Sequence, residues 1–248
     1  MKGIYAGVLL VIGVNLVGGC QLGTRDVYAR YNLGPAHDIV SASVNAMGGL
    51  AAWQKVSRVR ASAIVTMYQD GAEPYITHQT QDIDLMDGMI VAHAALPQGP
   101  WEATVHADGR YSVSGSLVDS DRKDSVVKAL AVLVNRLRGP LNIVLFDDHP
   151  VGAGPLRVPG MDENLIRVAV HSPRAKAYYF DAATSVLRLV TAGADRAGEK
   201  GTVTTYTYVV LPNGLAFPQR IRVVETGQFV LVGEKPLLEV EFTQVDVQ

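Results

Sequence analysis

The sequence predicts a mainly β protein of the α+β class, with about eleven antiparallel strands and two helical regions. From Ser57 onward, apolar and polar residues alternate with a period of two over most of the chain, which is typical of half-buried strands. Asp-Gly and Asn-Gly pairs separate these stretches, as expected for an antiparallel meander. Residues 121–138 instead repeat apolar side chains at helical spacing.

The first twenty residues form a unit of their own. Lys2 supplies a positive start, and the mostly apolar stretch Ile4–Val17 has the length of a signal-peptide core, shorter than a bilayer span of about 20 residues. The stretch closes on Gly18-Gly19 directly before Cys20, the one cysteine in the chain. This end resembles the lipobox of bacterial lipoproteins.

The lipobox resemblance implies that residues 1–19 are a lipoprotein signal peptide and that Cys20 is lipidated after cleavage. Three acyl chains on one residue exceed the two signals needed for stable anchoring. Gln21 follows where an Asp would favour inner-membrane retention, so the resemblance implies the periplasmic face of the outer membrane. The alternatives are an uncleaved membrane anchor and a secretory signal whose cysteine is incidental.

Composition excludes several classes of function. Lysine and arginine total 22 against 24 acidic residues, and removal of Lys2 takes the formal net charge from −2 to −3. This near-neutral balance lacks the basic excess typical of nucleic-acid binding. With Cys20 lipidated, no thiol remains for a disulfide or a cysteine nucleophile. The exported domain must therefore be held by its own apolar core, and 48% hydrophobic residues supply enough material for one.

A polar tether, residues 20–34, precedes two short helical segments that end near Val56. Asp38 is the predicted N-cap of the first segment, and Gly48-Gly49 separates the two. The predicted strand segments that follow are Val59–Met67, Tyr75–Leu85, Met89–Leu96, Trp101–Ala107, Arg110–Val118, Leu165–Val170, Ala175–Asp181, Val186–Thr191, Thr202–Val210, Ala216–Thr226, Gln228–Val232 and Leu237–Val247.

Asp121–Arg138 is the clearest predicted helix of the mature chain. Asp121 is its predicted cap, and Gly139-Pro140 ends it. Leu141–Pro159 is predicted to be a loop. The helix carries a wide apolar stripe that must be buried, and the sheet is the large partner available. The stripe consists of Val126, Val127, Leu130, Leu133, Val134 and Leu137.

Three local motifs resemble the lipoprotein-carrier fold of the LolA and LolB families. They are Ala46–Trp53 leading into a basic first strand, the hairpin Tyr178–Leu187, and the strand entry Gly214–Ile221. The resemblance implies a strongly curved, unclosed antiparallel β-barrel over residues 35–248, with helices plugging an apolar concave face. It carries over no functional residue position by position.

One amphipathic helix is too narrow to cover the inner surface of such a sheet, which predicts an apolar cavity. A cavity of this kind suits the acyl chains of a lipid or a lipoprotein. The alternative for each candidate is that it packs in an ordinary core. The candidate lining residues are Met67, Ile83, Leu85, Trp101, Leu130, Val134, Tyr179 and Phe217.

Catalytic and metal-binding patterns are weak. The chain has no Gly-x-Ser-x-Gly elbow and no phosphate-binding glycine loop. Acidic and histidine groupings are more typical of solvated turns and surfaces, which predicts a non-enzymatic protein with no metal and no cofactor. Two other functions stay open, an accessory lipoprotein that docks a protein partner through its sheet edge and a hydrolase. The groupings considered are His78 with Asp82, Asp147 and Asp148 with His149, and His93 facing His106.

Overall fold

Twelve antiparallel strands form one sheet in the computed structural model, which describes residues 33–145, 149–156, 164–171, 176–193, 201–226 and 235–248. The helices are α1 (Leu33–Ala46), α2 (Leu50–Trp53), α3 (Lys123–Leu137) and α4 (Leu141–Leu145). The strands are β1 (Val59–Met67), β2 (Tyr75–Asp84), β3 (Met89–Leu96), β4 (Gly99–His106), β5 (Tyr111–Gly115), β6 (His149–Leu156), β7 (Leu165–His171), β8 (Lys176–Asp181), β9 (Leu187–Ala192), β10 (Gly201–Val210), β11 (Ala216–Thr226) and β12 (Pro236–Val247).

The sheet is built from two meanders that meet in its middle. Its strand order is β5-β4-β3-β2-β1-β12-β11-β10-β9-β8-β7-β6, so the chain walks out to one edge and returns from the other. Helices α3 and α4 lie between the two meanders in sequence. Within the described strands, β5 and β6 each pair on one side and leave the barrel unclosed. The predicted curved, unclosed antiparallel architecture is therefore confirmed, with twelve strands where about eleven were expected.

The alternation of residues in β1 shows which face of the sheet is concave and buried, and its two neighbouring strands continue that face. Every second residue of β1, from Val59 to Met67, is buried, and the strand pairs with β2 on one side and β12 on the other. Helix α3 packs across this half and contacts β1, β3 and β4. Its predicted apolar stripe is buried except for the half-buried Val127, whereas α1 contacts the far edge strand β6 and also touches α4.

Two predicted helix starts are wrong. Helix α1 begins at Leu33, within the predicted tether, so Asp38 lies inside the helix and is not its cap. Helix α3 begins at Lys123 with Arg122 as the N-cap residue and no side-chain cap, so Asp121 does not cap it either. An acidic residue near an apolar stripe is a weak marker of a boundary, because packing of the stripe decides where the helix starts.

Strand β6 was expected to be a loop. Its sequence contains Pro150, Pro155 and two glycines, which disfavour an interior strand. It forms because it lies at the sheet edge, where a proline needs no partner on its open side, and a register shift near Pro150 accommodates the first one. Leu141–Leu145, expected in the same loop, is the short helix α4. The predicted strand Gln228–Val232 lies outside the described residues.

Candidate functional site

Seven of the eight predicted lining residues lie together in one apolar cluster between the sheet and the helices. None of them exposes more than 4% of its surface, so each packs tightly in this conformation. Leu130 and Val134 come from α3, Leu85 from the turn after β2, and the others from strands. The seven residues are Met67, Ile83, Leu85, Trp101, Leu130, Val134 and Phe217.

Tyr179, the eighth predicted residue, is not brought to this cluster. It belongs to a second buried cluster, while its neighbours Tyr178 and Phe180 stack on each other within the first, with ring centroids 6.4 Å apart. Neighbouring strand residues point to opposite faces, so β8 is buried on both sides of the sheet. The second cluster consists of Leu165, Ala177, Tyr179, Leu189, Val203 and Val224.

Polar contacts attach the start of α3 to the chain leaving β1. Arg122 Nη1 donates to Oε1 of Gln69 over 3.1 Å, and the amide nitrogen of Gln69 donates to the hydroxyl of Ser125. The Arg122 guanidinium also lies 5.2 Å from the ring centroid of Tyr75, at the start of β2. These groups hold the first turn of α3 at the end of the β1–β2 hairpin.

Arg138 attaches the other end of α3 to the turn after β2. Its Nε donates to the carbonyl of Leu85 and its Nη2 to the carbonyl of Met86, each over 2.8 Å. Burial lowers the pKa of Arg138, which Asp84 and Asp87 partly oppose. Gly88 lies directly beneath the guanidinium, where a Cβ would overlap Nη2. A glycine is therefore required there both for its positive φ and for space.

Two tyrosines support the same helix end from the other half of the sheet. The hydroxyl of Tyr206 donates to the backbone carbonyl of Arg136 over 3.3 Å, and its ring stacks on Tyr208 with centroids 6.1 Å apart. Burial raises the pKa of both phenols above the ordinary value of 10.0. Between its attached ends, α3 meets the sheet through apolar side chains, so the helix is a cover fixed mainly at its ends.

A polar strip on the concave face escaped the sequence reasoning. Thr77, Gln79 and Gln81 of β2 are 4%, 3% and 0% exposed. The signal was present, because the alternation that puts Ile83 and Leu85 inward also puts these three inward when it is followed back along the strand. The strip lies on the same face of β2 as Ile83, one of the predicted lining residues.

An open groove of about 510 Å³ lies outside this interior, where the α1–α2 joint meets the end of β12. The indole of Trp53 donates to the carbonyl of Met47 over 2.9 Å and fixes the joint. Gly48 lies against Leu215 too closely for any side chain. The groove is lined by Gly48, Gly49, Ala51, Ala52, Lys55, Val56, Asn213, Leu215, Val247 and Gln248.

The histidine and acidic groupings do not assemble as considered from the sequence. Asp82 pairs with Arg60 over 2.9 Å, and within the described ranges it makes no hydrogen bond or ion pair with the exposed His78. His93 lies opposite Glu102, whereas His106 lies opposite Met89, so the expected pairing of the two histidines is wrong.

Asp147 and Asp148 lie outside the described residues, as do the predicted signal peptide and Cys20. Across the described ranges, no three His, Cys, Asp or Glu side chains are grouped for a metal. None of the helices in those same ranges has the length and hydropathy to span a membrane.

The fold defined by these observations is an unclosed antiparallel barrel with a helix across its concave face. A domain from Vibrio parahaemolyticus, described as an outer membrane lipoprotein-sorting protein, shares it with a TM-score of 0.51 and 11% identity over 88% of this chain and 94% of its own. A LolA superfamily protein from Nitrosomonas europaea gives a TM-score of 0.49 and 8% identity over 86% of this chain and 93% of its own. The chain therefore shares its overall fold with the Vibrio domain. No protein-family model matches the sequence, and no curated protein matches it significantly.

Proposed function

We propose that the protein binds acyl chains of a lipid or a lipoprotein between α3 and the concave face of the sheet, without covalent chemistry. The observation that carries this proposal is the way α3 covers the sheet, with apolar contacts in its middle and hydrogen bonds at its ends. A methylene chain that replaced part of the helix against the sheet would gain about 0.8 kcal/mol for each methylene it buried. This gain would offset the apolar contacts that the helix loses. The long polar side chains at the two ends can follow a small movement of the helix, so they would keep it attached while it lifts from the sheet to admit a chain.

The proposal includes lipid anchoring through Cys20 on the periplasmic face of the outer membrane. The apolar segment and the small residues before Cys20 support it, and the lipoprotein-sorting description of the Vibrio domain agrees with it. A tethered protein cannot diffuse across the periplasm. We therefore assign it the role of a fixed receiver or scaffold in lipid or lipoprotein trafficking, and not that of a shuttle.

A reversible staple between α3 and β4 tests the binding site. Asn135 Nδ2 donates to the carbonyl oxygen of Ala107, the residue after β4, over 3.3 Å, so the two residues are neighbours across the helix–sheet contact, and Asn135→Cys with Ala107→Cys is the pair to oxidise. The full chain, extracted in mild detergent, is analysed by native mass spectrometry for retained lipid. We expect the oxidised double variant to take up little lipid and the reduced form to recover.

Each single cysteine variant is the control for the staple and should bind lipid in both redox states. Equal lipid retention with and without the staple would contradict binding beneath α3, and an empty wild-type chain would contradict lipid binding altogether. The mass of the N-terminal peptide, compared with Cys20→Ala, tests the anchor separately.

A second function, docking of a protein partner, is favoured by the contrast between the two sheet edges. Edge strand β5 is mostly exposed and contains no proline, whereas β6 carries two prolines and is contacted by α1. Exposed unprotected edges can accept an added strand from a partner. A photo-crosslinking residue at Ser114 in the full chain should capture an envelope protein if this function holds, and an exposed control at Gln244 should not.

A further inference from the structure

The polar strip of β2 is set among small side chains. Gln81 pairs with Ala61 on β1 and with Ala92 on β3, and Gln79 pairs with Ala63. Alanine reaches only a short distance from the backbone, so the glutamine amides extend further from the sheet than their neighbours do. They lie in the half of the concave face that α3 covers through its contacts with β1, β3 and β4.

The strip is a directed chain of hydrogen bonds. Gln81 Nε2 donates to Oε1 of Gln79 over 2.7 Å, and Gln79 Nε2 donates to Oγ1 of Thr77 over 2.9 Å. The Thr77 hydroxyl donates to the carbonyl of Val65 over 3.4 Å. The chain therefore ends at Oε1 of Gln81, a buried acceptor that receives no hydrogen bond from the described residues. Polarisation along the chain strengthens this acceptor.

Trp101 supplies a matching donor two strands away. Ala92, the partner of Gln81, pairs with Ala103 on β4, and Trp101 faces the same side two residues earlier. Its Nε1 is buried and has no acceptor in the described part of the chain. Two strand spacings and a two-residue offset put the two backbone positions about 12 Å apart, and the long glutamine and tryptophan side chains both extend from the same face into this interval. One unfilled acceptor and one unfilled donor thus share this face.

Unfilled buried groups of this kind lower stability, and apolar residues of similar volume would avoid that loss. The two arginines that approach β2 from the helix side contact its ends, Arg122 at Tyr75 and Arg138 at the carbonyls that follow the strand. The alanines around Gln81 carry no charge. Among the described residues, no cation would lie beside an anionic group buried there, which is unfavourable.

We infer that Gln81 and Trp101 bind the neutral head group of an acyl-chain ligand, one that donates a hydrogen bond to Oε1 and accepts one from Nε1. A hydroxyl beside an ester carbonyl, as in a glycerol monoester, has this chemistry, and so does an amide-linked acyl chain. The inference rests on the proposed function, since the ligand enters beneath α3. The protein would then select its ligand by the head group as well as by the acyl chain.

Photoreactive acyl probes that differ only in their head group test this inference. The full chain in phosphatidylcholine nanodiscs is labelled with diazirine chains that carry a glycerol monoester, a methyl ester or a carboxylate. We expect the monoester to label peptides of β1–β4 roughly tenfold more than the other two, as one to two added hydrogen bonds would give. An amide-headed probe should match the monoester.

Gln81→Met should reduce this preference to less than about twofold. Trp101→Phe removes the donor to the ester carbonyl that the monoester and the methyl ester share, so it should weaken labelling by both and leave their ratio at about tenfold. Gln244→Met, at an exposed glutamine of β12, is the matched control and should keep the full preference. The double variant Gln79→Met with Gln81→Met should unfold at the same or a higher denaturant concentration than the wild type. If the polar strip served only to stabilise the fold, the double variant would instead unfold at a lower denaturant concentration than the wild type.

The outcomes separate the inference from the function on which it rests. Equal labelling by all heads, unchanged by Gln81→Met, overturns the head-group site and leaves acyl-chain binding in place. Preferred labelling by the carboxylate also overturns it. If no probe labels the interior, the proposed function and this inference both fail.

Discussion

The two halves of the sheet bury their strands differently. In β1–β4 buried and more exposed residues alternate, and the outer face carries polar pairs such as the ion pair of Arg60 with Asp82 and the contact of His93 with Glu102. In β7–β11 both faces hold buried apolar side chains, and β8 has four buried residues in succession from Ala177 to Phe180. One half is therefore a single-sided sheet, and the other is enclosed.

This difference assigns different roles to the two halves. An enclosed strand gains packing on both faces and can provide most of the stability. The single-sided half can then retain features that do not favour stability, namely the unfilled polar atoms of Gln81 and Trp101 and a cover fixed by hydrogen bonds at its ends. We therefore expect core changes in β8 to affect folding, and changes in the β2 strip to affect ligand selection.

The largest expected effect tests the enclosure of β8. Phe180→Ala and Tyr179→Ala remove buried rings from opposite faces, and each should lower the free energy of unfolding by about 3–5 kcal/mol. In β2, Thr80→Ala on the exposed face should change it by less than about 0.5 kcal/mol. Denaturant unfolding measures all three. A Tyr179→Ala variant as stable as the wild type would remove the distinction between the halves.

The sequence predicts the single-sided half well because its signals are local. The turns Asp70-Gly71, Asp87-Gly88 and Asp108-Gly109 lie where expected, each with its glycine at positive φ. At the last of these, the Asp108 carboxylate accepts from the Arg110 backbone and side chain, and these bonds lower its pKa. Such signals depend on neighbours within a few residues.

The enclosed half and the edges are less predictable because they depend on distant contacts. Tyr179 cannot be assigned to a face from a run of four apolar residues, which fits either side of a strand. Strand β6 reads as a loop until its edge position is known. For Gln79 and Gln81, the alternation gives the face, but the unfilled acceptor is visible only in the hydrogen-bond geometry.

The next effect concerns the attachment of α3 to the single-sided half. Arg138→Met removes two charge-assisted bonds to the carbonyls of Leu85 and Met86 and should lower the free energy of unfolding by about 2–3 kcal/mol. Hydrogen exchange in α3 should accelerate more than exchange in β8. Arg110→Met, an exposed control, should leave both measurements unchanged. Equal acceleration in helix and strand would mean that Arg138 stabilises the whole fold and not the cover.

Variants of Gly88 provide a second test of the contact between Arg138 and the turn after β2. Gly88→Ala and Gly109→Ala both place a side chain at positive φ, which costs about 1 kcal/mol, but Gly109 faces open space and Gly88 faces Arg138. Gly88→Ala should therefore be the more destabilising by a further 1 kcal/mol or so. In an Arg138→Met background most of this difference should disappear, leaving the part caused by Ala107, whose Cβ lies 3.0 Å from the added one. An undiminished difference there would show that Arg138 is not the main clash.

The tyrosine pair of β10 allows a matched comparison of one hydroxyl with a partner and one without. Tyr206→Phe removes the bond to the carbonyl of Arg136 and should lower the free energy of unfolding by about 1 kcal/mol. The buried hydroxyl of Tyr208 has no partner among the residues described, so Tyr208→Phe should be neutral or slightly stabilising. Thermal unfolding of both variants measures the difference, and equal losses would contradict it.

A further effect, confined to alkaline pH, comes from the same two phenols. Burial raises the pKa of Tyr206 and Tyr208 in the folded state, while the unfolded phenols titrate near 10.0. Above pH 10 the unfolded state therefore binds fewer protons than the folded state, and stability falls as the pH rises. Below pH 10 both states hold the same protons, so the two residues contribute no slope there. Unfolding midpoints at pH 8, 10 and 11 should decline less steeply above pH 10 in the double variant Tyr206→Phe with Tyr208→Phe. An identical decline in the wild type and the double variant would assign the alkaline dependence to other groups and show that these phenols open to solvent before they ionise.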